Sequence, residues 1–251
     1  MNQFTLQNKI ALITGGGSGI GFEIANCFIT AGARVVITGR NEESLKTAIE
    51  KLGSLAHYVV NDVNELAKLP DLVMHIEATF GEIDILVNNA GINMKKPALE
   101  VTDEDFHRIV HTNLNAVFSL TRECAKKMIP RKRGSIIMIT SMAAYYGIDR
   151  VVAYGASKTG VEGMIKILAS EFSPSNVRIN AIAPGFIETA MMKTAMQGDP
   201  ERISRAMRRT PMGRFGTPSE VGNAAVFLAS EAASYITGVS LPVDGGNSIG
   251  F

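Results

Sequence analysis

The sequence predicts a doubly wound α/β fold, and three observations carry that prediction. Short apolar runs rich in Ile and Val alternate with helix-period segments along all 251 residues. The first such run leads at once into a glycine-rich turn and a helical pattern. Composition is that of a globular chain, 46% hydrophobic and 20% charged. A chain of this length buries roughly 70–75% of its unfolded surface, ample for one large core.

Continuous apolar character marks strands covered on both faces. Seven are expected, over residues 10–14, 35–38, 56–60, 83–88, 134–140, 178–183 and 240–243. Helical patterns fill the gaps at 20–31, 42–52, 70–80, 103–128, 151–172 and 218–230. Alternation of this kind implies parallel strands joined by right-handed crossovers. The last helix has a clear start, with Thr217 as N-cap, Pro218 at the first position and Glu220 closing a capping box. Residues 188–215 carry weak helical pattern and no strand. So long an excursion from a compact domain is read as a mobile lid. Its methionines Met191, Met192 and Met196 offer an adaptable apolar wall, or ordinary packing. The whole of 1–251 reads as a single dinucleotide-binding and catalytic domain, a Rossmann-like fold.

Composition excludes several classes of function. A formal net charge of +1 gives no general attraction for nucleic acid or an anionic membrane. Neither a membrane span nor a signal-peptide pattern is present. Cys27 and Cys124 sit in apolar-periodic segments and read as free buried thiols, which fits a cytoplasmic protein. His107 and His111 have the i, i+4 spacing of a zinc pair but lack a third ligand, so no metal is expected.

The turn TGGGSGIG places Gly15, Gly19 and Gly21 between the first strand and the first helix. Glycines allow a tight turn and close approach, and the helix N-terminus offers free N–H groups to a pyrophosphate. Asp62 in NDV follows the third strand, where it can accept from an adenine amine or cap the next segment. Asn88 to Gly91, NNAG, follow the fourth strand, where they can line the same cleft through Asn89, Ala90 and Gly91 or form an ordinary Asn-rich turn. At the end of the second strand an acidic residue would bind a ribose 2′-hydroxyl. Gly39 and Arg40 stand there instead, and an arginine can grip a 2′-phosphate. NADP is therefore expected over NAD, with NAD as the alternative.

Tyr154 and Lys158 lie one helical turn apart and can converge on one point. At about 4 Å and an effective dielectric near 20, an ammonium attracts a phenolate by about 4 kcal/mol. That would lower the phenol pKa by about three at most, before desolvation is subtracted. Such a tyrosine could trade protons with a substrate hydroxyl or carbonyl. Ser141 follows the fifth strand, and its hydroxyl could hold the substrate oxygen.

These motifs in this order resemble the short-chain dehydrogenase/reductase family, through APG at Ala183 to Gly185 and the C-terminal YITGVSLPVDGG. The resemblance implies a seven-stranded parallel sheet and a catalytic set of Asn113, Ser141, Tyr154 and Lys158. Asn113 would hold a water that relays protons from Lys158, which would also bind the nicotinamide ribose. The resemblance extends the cofactor contacts to Gly17, Ser18, Ile20, Val63, Pro184 and Gly185. Ile187 would bind the carboxamide of the ring through its backbone, and Thr189 would contact it directly. A homotetramer is implied, with the last strand and the helices starting at residues 103 and 151 at its interfaces.

GINMKKPALE and RTPMGRFGTPSEVG resemble gluconate 5-dehydrogenases, and equally 3-oxoacyl-(acyl-carrier-protein) reductases. Lys95 and Lys96 are candidates to attract an acidic sugar, and the basic run PRKRG (Pro130 to Gly134) to dock an acidic carrier protein. A sugar acid or polyol is the expected substrate and an acyl carrier protein the alternative partner. The other class is a dinucleotide-binding regulator without turnover.

Overall fold

In the computed structural model, which describes residues 3–196 and 198–250 except the side chains of Met191, Ala195, Met196 and Arg202, the apolar runs form seven strands. They are β1 (Ile10–Thr14), β2 (Arg34–Gly39), β3 (Ala56–Val60), β4 (Ile85–Asn88), β5 (Gly134–Ile139), β6 (Val177–Pro184) and β7 (Ser240–Val243). They build one sheet in the order β3-β2-β1-β4-β5-β6-β7, with every pairing parallel. The expected Rossmann-like α/β architecture is the one observed.

The α-helices are α1 (Gly19–Thr30), α2 (Glu42–Leu52), α3 (Leu69–Phe80), α4 (Asp103–Val110), α5 (Ala116–Arg131) and α6 (Val152–Phe172). After β6 come α7 (Ala190–Met196), α8 (Pro200–Arg209) and α9 (Pro218–Ala229). Alternate strand residues point to opposite faces, so the sheet carries two cores. Ala11, Ile13, Val35 and Ile37 pack with Ile24 and Phe28 of α1 and Val221 and Leu228 of α9. Leu12, Val36 and Leu86 pack with Val73 of α3, Leu120 of α5 and Val161 of α6. The α1–α9 contact is close because Gly222 faces Cys27, where an added Cβ would lie 2.5 Å from the sulfur.

Two expectations need correction. The fourth strand begins at Ile85 rather than 83. The Ile83 backbone is engaged by side chains instead: its N–H donates to Glu77 Oε1 and its carbonyl accepts from Arg131. The single helix expected over 103–128 is three pieces. Between α4 and α5 the chain takes a π turn at His111–Asn115, closed by the Ala116 N–H on the His111 carbonyl. A π turn is a widened piece of helix and is frequently found at functional sites. Beyond it, α5 runs three residues further than expected, through Pro130 to Arg131.

The excursion at 188–215 contains α7 and α8, and its boundary is pinned where Ile187 and Gly216 form an isolated bridge. The Met192 side chain lines the cleft described below; those of Met191 and Met196 lie outside the described residues. Glu220 accepts from the Thr217 backbone N–H at 2.8 Å, so α9 starts where expected. No helix among the described residues is long and apolar enough to cross a membrane.

Candidate active site

Ligands of open α/β sheets gather at the carboxyl ends of strands, where the strand order reverses. Here β1 and β4 flank that reversal, and a cavity of about 610 Å³ opens along the edge. The glycine turn lies at its floor. Gly15 and Gly19 both have positive φ, +66° and +57°, a conformation that suits glycine. An added Cβ on Gly21 would lie 2.4 Å from both the Gly15 carbonyl and Asn89 Nδ2. The turn and the NNAG segment are therefore packed backbone to side chain, with no room for a larger residue.

One residue that the motif reading passed over ties these pieces together. Thr14 Oγ1 accepts from the backbone N–H groups of Asn89 and Ala90, at 3.1 and 3.0 Å. Asn89 Nδ2 donates back to the Thr14 and Gly15 carbonyls. A hydroxyl residue between a strand and a glycine turn was the available signal.

Of the candidate dinucleotide residues, Gly15, Ser18, Gly19, Ile20, Arg40, Asp62, Val63, Asn89, Ala90, Gly91, Pro184, Gly185, Ile187 and Thr189 all line the cavity. Gly17 and Gly21 do not. Gly17 turns toward α2, its carbonyl accepting from Ser44 Oγ, and Gly21 lies beneath the turn. Asn88 also points away, to Thr121 Oγ1. Asp62 caps the next segment, accepting from the Asn64 N–H at 3.0 Å, and also lines the cavity. Thr38 Oγ1 and Asn61 Oδ1 are buried polar atoms without a protein partner, and both residues are in the cavity wall. Arg40 is exposed at the rim, with no carboxylate at position 39. A glycine cradle, unpaired polar atoms and a rim arginine fit a dinucleotide.

At the other end of the cavity stand Ser141, Tyr154 and Lys158. Ser141 leaves β5 in extended conformation, and its Oγ accepts from the Ala143 N–H at 3.2 Å. Lys158 is buried and donates to the Ile139 carbonyl at 2.7 Å. Its ammonium lies 5.6 Å from the centre of the Tyr154 ring. Asn113 is fully buried in the π turn, with Oδ1 on the Ile92 N–H and Nδ2 on the Ile92 carbonyl. Gly91 closes the group, since an added Cβ there would meet Asn113 Oδ1 at 3.2 Å and Lys158 Nζ at 3.7 Å. Ser141, Tyr154 and Lys158 thus line one end of the cleft, and Asn113 lies buried behind it, beyond Gly91.

The electrostatics differ from the expected lowered phenol. Burial raises the Tyr154 pKa, and only its hydrogen bond with Ser141 works in the opposite direction. Burial pushes Lys158 down to about 8. The same desolvation acts on both groups and disfavours both charged forms.

The two lysines offered for an acidic substrate are already paired, Lys95 with Asp199 at 2.9 Å and Lys96 with Asp105 at 2.8 Å. The basic run is also largely engaged. Arg131 pairs with Glu77 and Arg133 with Glu82 and Asp84. His111 contacts the Asn64 carbonyl through Nε2. No cluster of three metal-ligating side chains occurs among the described residues.

The fold and the cleft define a dinucleotide-dependent oxidoreductase of Rossmann type. The family model described as enoyl-(acyl carrier protein) reductase matches residues 15–248. A 3-oxoacyl-(acyl-carrier-protein) reductase of Chlamydia muridarum is 39% identical over 96% of this chain and 98% of its own. A 3alpha-hydroxysteroid dehydrogenase of Mediterraneibacter gnavus is 38% identical over 96% and 97%. Among solved structures, a gluconate 5-dehydrogenase from Burkholderia cenocepacia, in complex with NADP and tartrate, superposes with a TM-score of 0.95. It is 36% identical, covering 100% of this chain and 99% of that one. The chain belongs to the short-chain dehydrogenase/reductase family. It is an NAD(P)-dependent oxidoreductase acting on CH–OH or carbonyl groups.

Proposed function

We propose that this protein interconverts a ketone and a secondary alcohol, using NADP in preference to NAD, with a sugar acid or polyol as substrate. The observation that carries the reading is the continuity of the cavity, from the glycine cradle to Ser141, Tyr154 and Lys158. Gly15, Ser18, Gly19 and Ile20 would hold the pyrophosphate, Asp62 and Val63 the adenine, and Arg40 the 2′-phosphate. Lys158 would hold the nicotinamide ribose, and Ile187 and Thr189 the carboxamide. The nicotinamide, when bound, supplies or takes up a hydride at the carbonyl carbon.

The chain's own groups handle the oxygen. The Ser141 hydroxyl donates to the substrate carbonyl and orients it. Tyr154 gives its proton to that oxygen in reduction and takes it back in oxidation. A raised phenol pKa keeps the proton on Tyr154 at neutral pH, the form that reduction needs. Oxidation needs the phenolate and gains as pH rises. Asn113 and Lys158 carry the replacement proton.

Among the described residues, three cations line the cavity, Arg40, Arg108 and Lys158. Two are taken by the roles above, which leaves Arg108 for a substrate carboxylate. Its ion pair to Asp105 is long, 3.7 Å. The pairing of Arg131 and Arg133 with Glu77, Glu82 and Asp84 argues against docking of an acidic carrier, which the alternative 3-oxoacyl-(acyl-carrier-protein) reductase reading needs. Segment 188–215 would close over the substrate as a lid. The exposed apolar residues Phe118 on α5 and Ile167 on α6 support assembly as a homotetramer.

Absorbance at the nicotinamide band, followed with gluconate analogues beside 3-oxoacyl thioesters, tests the substrate. Oxidation of gluconate analogues with NADP is expected; efficient reduction of thioesters alone would replace this reading with the alternative. Tyr154→Phe should lower kcat by about 10²–10⁴-fold with cofactor affinity unchanged. Near-normal turnover in that variant would overturn the assignment of Tyr154.

A further inference from the structure

Ser157 lies between Tyr154 and Lys158 in the chain and is completely buried. Its hydroxyl donates to the Tyr154 carbonyl at 2.7 Å, so its own proton is committed. What remains are lone pairs, and these accept from Asn113 Nδ2 at 3.2 Å. An asparagine carboxamide has a donor end and an acceptor end that are nearly the same shape. An oxygen with only lone pairs to offer admits the donor end alone. That choice agrees with the one the Ile92 backbone makes, where the N–H donates to Asn113 Oδ1 at 2.9 Å. The second Nδ2 proton goes to the Ile92 carbonyl at 2.8 Å.

The orientation matters because of what lies beside Oδ1. Gly91 borders both groups: an added Cβ there would lie 3.2 Å from Oδ1 and 3.7 Å from Lys158 Nζ. The π turn at His111–Asn115 is a departure from α-helical geometry, so regular helix packing does not set the direction of this side chain. Ser157 supplies a constraint from the facing helix.

We propose that Ser157 is a positioning residue, which together with the Ile92 backbone holds the carboxamide of Asn113 in place and affects turnover only through Asn113. The proposal rests on the proton-transfer role given to Asn113 above. The loss of one buried hydrogen bond of this kind sets the expected scale, about tenfold.

The test is a double-mutant cycle on the full-length enzyme with NADPH and the best ketone of the substrate panel. Ser157→Ala should lower kcat about tenfold, with the KM for NADPH close to wild type and the thermal midpoint lowered by about 2–4 °C. Asn113→Ala should lower kcat at least as far, and the two variants should displace the pH profile of kcat in the same direction. The double variant should be no slower than Asn113→Ala. Ser157→Thr and Ser157→Val have one shape, with and without the hydroxyl; turnover retained only by the threonine variant supports the proposal even if the alanine variant does not fold. Multiplicative losses in the double variant, or a wild-type kcat and pH profile for Ser157→Ala, would overturn it while leaving Asn113 in place. Full turnover in Asn113→Ala would instead remove the role of Asn113, and this inference with it.

Discussion

Lys158 shows how a functional residue can cost stability. Its side chain is buried, and its pKa falls from the ordinary lysine value to about 8. The unfolded chain therefore binds the extra proton more tightly than the folded one. Between about pH 8 and 10.5, folding stability rises with pH. Below that window Lys158 costs about 3 kcal/mol, an upper figure set by the difference between the two pKa values. Lys158→Met should thus stabilise the apoprotein at pH 7 by about 1–2 kcal/mol, once the lost bond to the Ile139 carbonyl is subtracted. The gain should shrink as pH approaches 10.5, and activity should be lost. Urea denaturation at pH 7 and pH 10 checks it: an unchanged or lowered midpoint at pH 7 would contradict the desolvation account. At this scale the candidate site was largely legible in the sequence. Tyr154, Lys158 and Ser141 are marked by spacing and by their places at strand and helix ends. Thr14 and Ser157 were not, because each acts through a partner distant in sequence, Asn89 and Asn113 respectively. The direction of the Tyr154 shift was not legible either, because burial is a property of the folded surroundings.

Elements that follow one strong local rule stand where the sequence puts them, and those that tertiary contacts reshape do not. The start of α9 is the first kind. Glu220 is pulled down to about 2, first by Arg214 and then by the Thr217 backbone N–H. Its folded pKa is depressed, so its contribution is present above the ordinary glutamate range and is lost as pH falls toward 2. The side chain is 39% exposed, which screens the pair, so about 1 kcal/mol is expected rather than the full shift. Glu220→Ala should lower the thermal midpoint by about 2–4 °C at pH 7, and by progressively less as the pH falls below 4. Equal losses at pH 7 and pH 3 in differential scanning calorimetry would rule that out. The start of β4 and the π turn are the second kind. Ile83 carries the apolar signal of a strand, yet Glu77 and Arg131 take its backbone groups. The segment at 103–128 keeps one helical period by residue type, so the widening at His111–Asn115 leaves no trace in the pattern.

At the scale of the whole molecule, β7 is an edge strand, and its neighbour Val239 is exposed, as are Val152 and Ile167 on α6. Unpaired edges and exposed apolar side chains favour association. Ile167→Glu should therefore convert the proposed tetramer to smaller species in sedimentation velocity, with the monomer fold retained by circular dichroism. An unchanged sedimentation coefficient would exclude that face. The strand order has a different consequence, for the nascent chain. β1 takes β2 as its first neighbour, but its other side waits for Ile85, Leu86 and Val87. In chain order that second partner, β4, comes only after α3, so a half-sheet formed earlier in synthesis would have an open central edge. The glycine cradle meets Asn89 in that same late step, and the capacity to hold a dinucleotide is born with the closing of that edge.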